Sequence, residues 1–112
     1  MRKIILRFLI FFAGFLSAQE LPNVTIVNNT GYTIYELYIS QTTNDNWEKD
    51  VLGEDILSNG QSFNVKLSSP LSVANRYDIQ LIDEDGDSYT KWNVLITPNA
   101  RIVFTLSDID ED

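Results

Sequence analysis

Four carboxylates fall within five consecutive positions of this sequence, Asp83, Glu84, Asp85 and Asp87, with Gly86 among them. Oxygen-rich clusters of this kind suit calcium, a hard cation that takes many oxygen ligands. The spacing departs from an EF-hand loop, whose glycine stands sixth, whereas Gly86 is fourth counted from Asp83. Crowded carboxylates repel one another, so a divalent ion held between them would relieve the repulsion and stabilise the fold. Asp45 and Asp50 belong to a second acidic stretch and would join Asp83, Asp85 and Asp87 if both segments lay at one end of the molecule. The competing reading is a solvated turn tip with no ligand, the usual fate of a short acidic motif.

Other chemistry is excluded by composition. The chain has no His and no Cys, which removes imidazole and thiolate metal ligands, disulfides, and every nucleophile–histidine constellation. Carboxylate pairs of the kind used by glycosidases need neither residue and stay open.

The acidic turn joins two apolar runs, and residues 77–96 read as a β-hairpin. Asp85-Gly86 suits a two-residue type I′ loop, because both central positions need positive φ. Centred there, Leu81 faces Thr90, Ile79 faces Trp92 and Tyr77 faces Val94 on an apolar face, with Gln80 opposite Lys91 and Asp78 opposite Asn93 on a polar one. A four-residue loop preserves these pairs. A one-residue slip moves Lys91 and Asn93 onto the face of Ile79 and Leu81, the wrong set to bury.

The remaining strands follow from the same alternation. Residues 24–40 read as two strands around Thr30-Gly31, with Val24, Ile26, Tyr35, Leu37 and Ile39 facing the core. Tyr32, Ile34 and Tyr38 then fall on the opposite face, which is too apolar to be freely solvated and suits a partner. Residues 41–55 form a long irregular segment, with a turn or two of helix after Asn44 and with Trp47 and Leu52 covering the core. Phe63, Val65 and Leu67 alternate with Asn64 and Lys66 in the cleanest strand. Finally, residues 101–106 are expected to return beside residues 92–96, pairing Ile96 with Ile102, Val94 with Phe104 and Trp92 with Leu106. Two sequons occur, at Asn23 and Asn28.

At the N-terminus, Arg2, Lys3 and Arg7 precede an apolar run from Phe8 to Leu16 and the small residues Ser17 and Ala18. This is the pattern of a secretory signal peptide over residues 1–18, with a run too short to span a bilayer. Cleavage there would leave five basic and sixteen acidic residues, a net charge of −11 against −8 for the whole chain. Such an excess repels nucleic acid and anionic membranes, so the expected partners are an envelope or extracellular protein, with no nucleic acid and no membrane insertion of the mature chain. The expected location is periplasmic or secreted.

Six to seven short strands separated by Gly, Asn and Pro turns predict an all-β fold, an antiparallel β-sandwich over residues 19–107, with a partly open barrel as the alternative. Trp92, Phe63, Phe104, Tyr35 and Tyr77 are the expected bulk of its core. An acidic tail, residues 108–112, completes the chain. With these motifs in view, the sequence resembles a group of small exported bacterial proteins found in spirochaetes among others. The shared patterns are GYTIYxLYIS at residues 31–40, WxxDxLG at 47–53, LxxGxS at 57–62 and YDIxLxDxDGDxYTK at 77–91. The resemblance implies export and a β-domain and carries no catalytic residue.

Three functions are compatible with these features. The first is an exported noncatalytic binding or interaction module using Tyr32, Ile34 and Tyr38. The second is a calcium-binding β-sandwich using Asp83, Asp85, Asp87, Asp45 and Asp50. The third is a carboxylate-dependent glycosidase, for which no acid is flanked by residues that would bury and tune it.

Overall fold

The computed structural model describes residues 21–111; the signal-peptide reading of residues 1–18 lies outside the described residues. Six strands form two three-stranded sheets packed face to face as a β-sandwich. In chain order they are β1 (Asn23–Asn29), β2 (Ile34–Gln41), β3 (Ser62–Lys66), β4 (Arg76–Asp83), β5 (Ser88–Leu95) and β6 (Ala100–Thr105), followed by a 3-10 turn at Leu106–Asp108. The first sheet has the order β3-β1-β6 and the second β2-β4-β5. Alternation set the inward residues: Val24, Ile26, Leu37, Ile79, Leu81, Val65 and Phe104 are buried and form one core with Leu52, Leu57, Leu67 and Ile96.

Strand partners differ from the expected hairpins in two places. Successive segments β1 and β2 belong to different sheets, and β6 pairs with β1 in parallel, Val24 beside Ala100 through Asn29 beside Thr105, instead of with β5. The reason lies in β1. Val24, Ile26 and Val27 are all buried, and a strand covered so fully needs a neighbour on each edge. It has β3 antiparallel on one side and β6 parallel on the other. The first sheet is therefore mixed.

The crossover out of β1 is organised by Asn28, a fully buried amide. Its Nδ2 donates to the carbonyls of Tyr32 (2.7 Å) and Leu57 (2.9 Å), and its Oδ1 accepts from the Thr30 amide (3.1 Å) and the Thr30 hydroxyl (2.7 Å). All four hydrogen-bonding positions of the side chain are thereby filled. A sequon asparagine held this way has no free amide to offer for glycosylation in the folded state.

The long segment after β2 protects the edge of that strand. Leu37 donates its amide to Asp50 Oδ1 (2.9 Å) and its carbonyl accepts from Val51 (2.8 Å). Further along, Ile34 and Leu57 exchange both backbone hydrogen bonds at 2.9 Å. Exposed edges invite pairing with other chains, and residues 50–57 close this one while Leu52 and Leu57 seal the gap between the sheets. The expected helical turn after Asn44 is absent from the described residues; Thr42 and Thr43 turn instead, and residues 47–50 form neither helix nor strand.

The acidic tail is tied down. Ile109 bridges to Tyr89, the Asp110 amide donates to the Ser88 carbonyl (2.8 Å), and Asp110 Oδ2 accepts from the hydroxyls of Ser88 (2.7 Å) and Thr90 (2.6 Å). It covers the first half of the β5 edge.

One polar atom of the core is unmatched. The Tyr77 hydroxyl is buried without a hydrogen-bond partner among the described residues, and burial, with the nearby Glu48 charge second, pushes its pKa up. An unpaired buried hydroxyl costs its desolvation, so Tyr77→Phe is expected to be as stable as the native chain or more so, by up to about 1 kcal/mol in urea unfolding. A loss of that size would show that the hydroxyl has a partner.

Candidate functional site

The central hairpin turns in a way that changes which side chains face outward. Its loop has three residues, closed by the Asp83 amide on the Asp87 carbonyl (2.9 Å) and the Gly86 amide on the Asp83 carbonyl (3.0 Å). Gly86 takes φ +85°, the left-handed conformation that such a loop requires and glycine adopts without penalty. With one residue more than a two-residue loop, the register moves by one: Leu81 lies opposite Tyr89 and Ile79 opposite Lys91. The slip brings the Tyr89 ring into the core at 0 % exposure. Lys91 is accommodated by extension of its stem: its ammonium reaches Asp108 Oδ1 (3.1 Å) and lies 5.3 Å from the centroid of the buried Phe104 ring.

A β-bulge then restores the original pairing. Trp92 and Asn93 together oppose Asp78, after which Tyr77 again faces Val94. Asn93 sits at φ +53°, a conformation asparagine tolerates better than most residues, and its amide donates to Asp78 Oδ1 (2.8 Å). The slip that turns Tyr89 inward turns Trp92 outward by the same alternation, and the consequence is a correction: Trp92, expected in the core, is 66 % exposed. Tyr35 is likewise outside, at 50 %, because a second register shift falls between Ile34 and Glu36.

Trp92 does not stand alone. The Trp47 ring lies 5.8 Å from it, tilted by 34°, and the Tyr38 ring 6.2 Å from Trp47, tilted by 45°. Tyr38 and Trp47 are half-buried, so the three rings form a row fixed from below and open at Trp92. The loop carrying Trp47 is held by the Glu48 amide on the Ser40 hydroxyl (2.9 Å). Beside the rings, Asn44, Asp45, Asn46 and Asp78 line a shallow cleft of about 170 Å³. The Tyr38 hydroxyl donates to the Glu36 carboxylate, which, with burial second, pushes its pKa up to about 12.

The carboxylate tip serves a different purpose. One oxygen from each of Asp83, Asp85 and Asp87 lies within 4.8 Å of the others. Asp83 is nevertheless buried, its Oδ1 accepting from the amides of Asp85 (2.9 Å) and Asp87 (3.0 Å) and its Oδ2 from the Tyr89 hydroxyl (2.8 Å). Burial first and the Asp83 bond second push the Tyr89 pKa up, with the Thr30 hydroxyl acting in the opposite sense. Glu84 Oε2 accepts from the Thr33 amide (2.8 Å) and clamps the tip to the crossover from β1.

Asp45 and Asp50 do not join this group. The loop that carries them leaves β2 at Gln41, opposite Tyr77, whereas Asp83 lies opposite Ile34. Asp50 is on the outer edge of β2, where its Oδ1 accepts from the Leu37 and Leu52 amides (2.9 and 3.0 Å). Asp45 lines the cleft beside Trp92. The row Tyr32, Ile34 and Tyr38 is also broken up, for Ile34 is fully buried while Tyr32 is exposed on the crossover. Tyr38 alone of the three touches the aromatic row.

The aromatic site was missed because a tryptophan between apolar strands reads as core. The signal that could have found it is the asparagine after Trp92, a residue suited to positive φ, facing a strand aspartate able to cap its amide.

Comparisons with known proteins agree with the fold. No family model matches the chain, and no curated protein matches it. Its architecture is similar to that of a protein from Eubacterium rectale solved by NMR, with a TM-score of 0.61 at 13 % identity over 83 % of this chain and 87 % of that one.

At high pH the raised tyrosines set a limit on stability. Tyr38, Tyr77 and Tyr89 all favour the neutral phenol in the folded state relative to the ordinary value of 10.0. Their contribution is complete below pH 10 and is lost as pH rises above it, because the unfolded chain then releases protons that the folded chain retains. Urea midpoints are expected to fall across that boundary, and less steeply in Tyr89→Phe; equal slopes would contradict the assignment.

Proposed function

We propose that this chain is an exported, noncatalytic binding module whose ligand face is the aromatic row of Tyr38, Trp47 and Trp92 on the outer side of the second sheet. The observation that carries this reading is the exposure of Trp92, 66 % open to solvent on the outer face of β5 and packed against the Trp47 ring, beside the bulge that holds Asn93 at positive φ. Interface hot spots are commonly rigid aromatics of this type. The basic and apolar leader supports export.

Cosedimentation with insoluble envelope material tests the proposal. The native chain is expected to sediment, Trp92→Ala to remain in the supernatant, and Asp85→Asn with Asp87→Asn to sediment as the native chain does. Absence of binding by the native chain, or equal binding by Trp92→Ala, would contradict it.

The proximity of Asp83, Asp85 and Asp87 supports a second reading, a calcium site at the hairpin tip. It is the weaker one, since Asp83 already accepts three hydrogen bonds and Asp85 and Asp87 are exposed. The melting temperature is expected to be the same in calcium and in chelator. A rise in calcium that disappears in Asp85→Asn would favour the second reading.

A further inference from the structure

We infer that the Trp92 face takes a neutral saccharide chain, an inference that rests on the binding reading above and specifies its ligand. A pyranose ring presents C–H groups on its faces and hydroxyls around its rim. The C–H face complements the electron-rich face of an indole, and the rim requires acceptors and donors at the edge of that ring. Trp92 offers the first, 66 % exposed yet held from behind by Trp47. Its backbone is fixed by the bond from Asn93 to Asp78, so little freedom is lost when a ligand stacks on it.

The rim partners are at hand. Asp78 uses only Oδ1 in holding the bulge, and its other oxygen has no partner among the described residues. The side chains of Asp45 and Asn46 line the same cleft and have no hydrogen-bond partner among the described residues. A cleft of about 170 Å³ with an aromatic wall, two amides and two carboxylates provides for one sugar ring, and the row from Trp92 to Tyr38 extends the surface along a chain.

Charge and edges narrow the class. Asp45 and Asp78 at the cleft, with Glu48 behind it, repel an anionic polysaccharide. The nearby Arg76 spends Nη1 on the Asn93 carbonyl (3.1 Å). An extended peptide would need an open strand to pair with, but the β2 edge is covered by residues 50–57 and the β5 edge is interrupted by the bulge at Trp92.

Tryptophan fluorescence and calorimetric titrations test the inference with neutral hexasaccharides of glucose, xylose, mannose and N-acetylglucosamine, an oligogalacturonate, and an oligolysine peptide. At least one neutral saccharide is expected to bind saturably, with affinity reduced roughly tenfold or more in Trp92→Ala and unchanged in Ile56→Ser, an exposed apolar residue far from the rings. The oligogalacturonate is expected not to bind. An unchanged melting temperature for Trp92→Ala establishes that its loss is not unfolding. If no neutral saccharide binds, the saccharide inference fails; oligolysine binding lost in Trp92→Ala would then leave the binding face standing with a different ligand. If neither class binds and cosedimentation is also negative, both readings fail.

Discussion

Replacing Asn28 with alanine is expected to cost about 3 to 5 kcal/mol, a large part of the stability of a domain this size. The side chain is fully buried and makes four hydrogen bonds that join the end of β1 to the crossover at Thr30 and Tyr32 and to the distant Leu57 carbonyl. Removing it orphans the buried Thr30 amide and takes one donor from each of the Tyr32 and Leu57 carbonyls, which keep the Thr30 hydroxyl and the Ile34 amide, and an orphaned buried group costs more than the bond it made. Asn28→Asp provides the sharper version. It retains the acceptor for Thr30 but turns two donors toward carbonyl oxygens into a negative oxygen, and is expected to be at least as damaging as alanine. Urea unfolding measures both, and a loss below about 1 kcal/mol for alanine would mean that the crossover holds without this amide.

Asp83→Ala is expected to be the second most costly change at a polar position, at about 2 to 4 kcal/mol. Its carboxylate accepts the Asp85 and Asp87 amides that shape the loop and the hydroxyl of the buried Tyr89. Asp83→Asn keeps an acceptor for the amides and should lose about half as much. Asp85→Asn and Asp87→Asn, at exposed positions, should change stability by no more than about 0.5 kcal/mol. Thr30 lies between the two sites, bonded to Asn28 and influencing Tyr89. The Asn28→Ala and Asp83→Ala losses are therefore expected to sum to more than the loss of the double variant, since both release the same crossover. Full additivity would place the two in separate units. Melting curves of the four chains decide this.

These expectations reverse the emphasis that the sequence alone suggests. Alternation at Phe63, Val65 and Leu67, or at Ile79 and Leu81, reveals which face a residue takes, because period two survives any choice of partner. It does not reveal the neighbouring strand, and so the pairing of β6 with β1 was not legible in residues 101–106. The hairpin shows a subtler failure. A two-residue and a three-residue loop around Asp85-Gly86 differ by one position, and the bulge at Trp92-Asn93 cancels that difference before Tyr77 and Val94 meet. Both ends of the strand thus agree with the simpler register while Tyr89 and Trp92 exchange roles. The choice between them depends on tertiary contacts, namely the Asp83 carboxylate that takes the Tyr89 hydroxyl and the Asp108 and Phe104 groups that receive Lys91.

The carboxylates were legible as a cluster but not as to purpose. A calcium-binding loop and an Asx-capped loop use the same residue types, and the burial of Asp83 beside exposed Asp85 and Asp87 favours the second. The residues with the strongest chemical character hold the hairpin together. The face proposed to meet a ligand lies at the other end of the same two strands, where the ladder is broken.

Amide chemical-shift mapping of the labelled protein during titration with a neutral saccharide that binds tests this division most directly. The predicted result is a set of perturbations confined to residues 44–47, Asp78, Trp92 and Asn93, together with the Trp92 and Trp47 indole N–H signals, and none at residues 83–87. Perturbations centred on residues 83–87, with the indole signals unmoved, would contradict it.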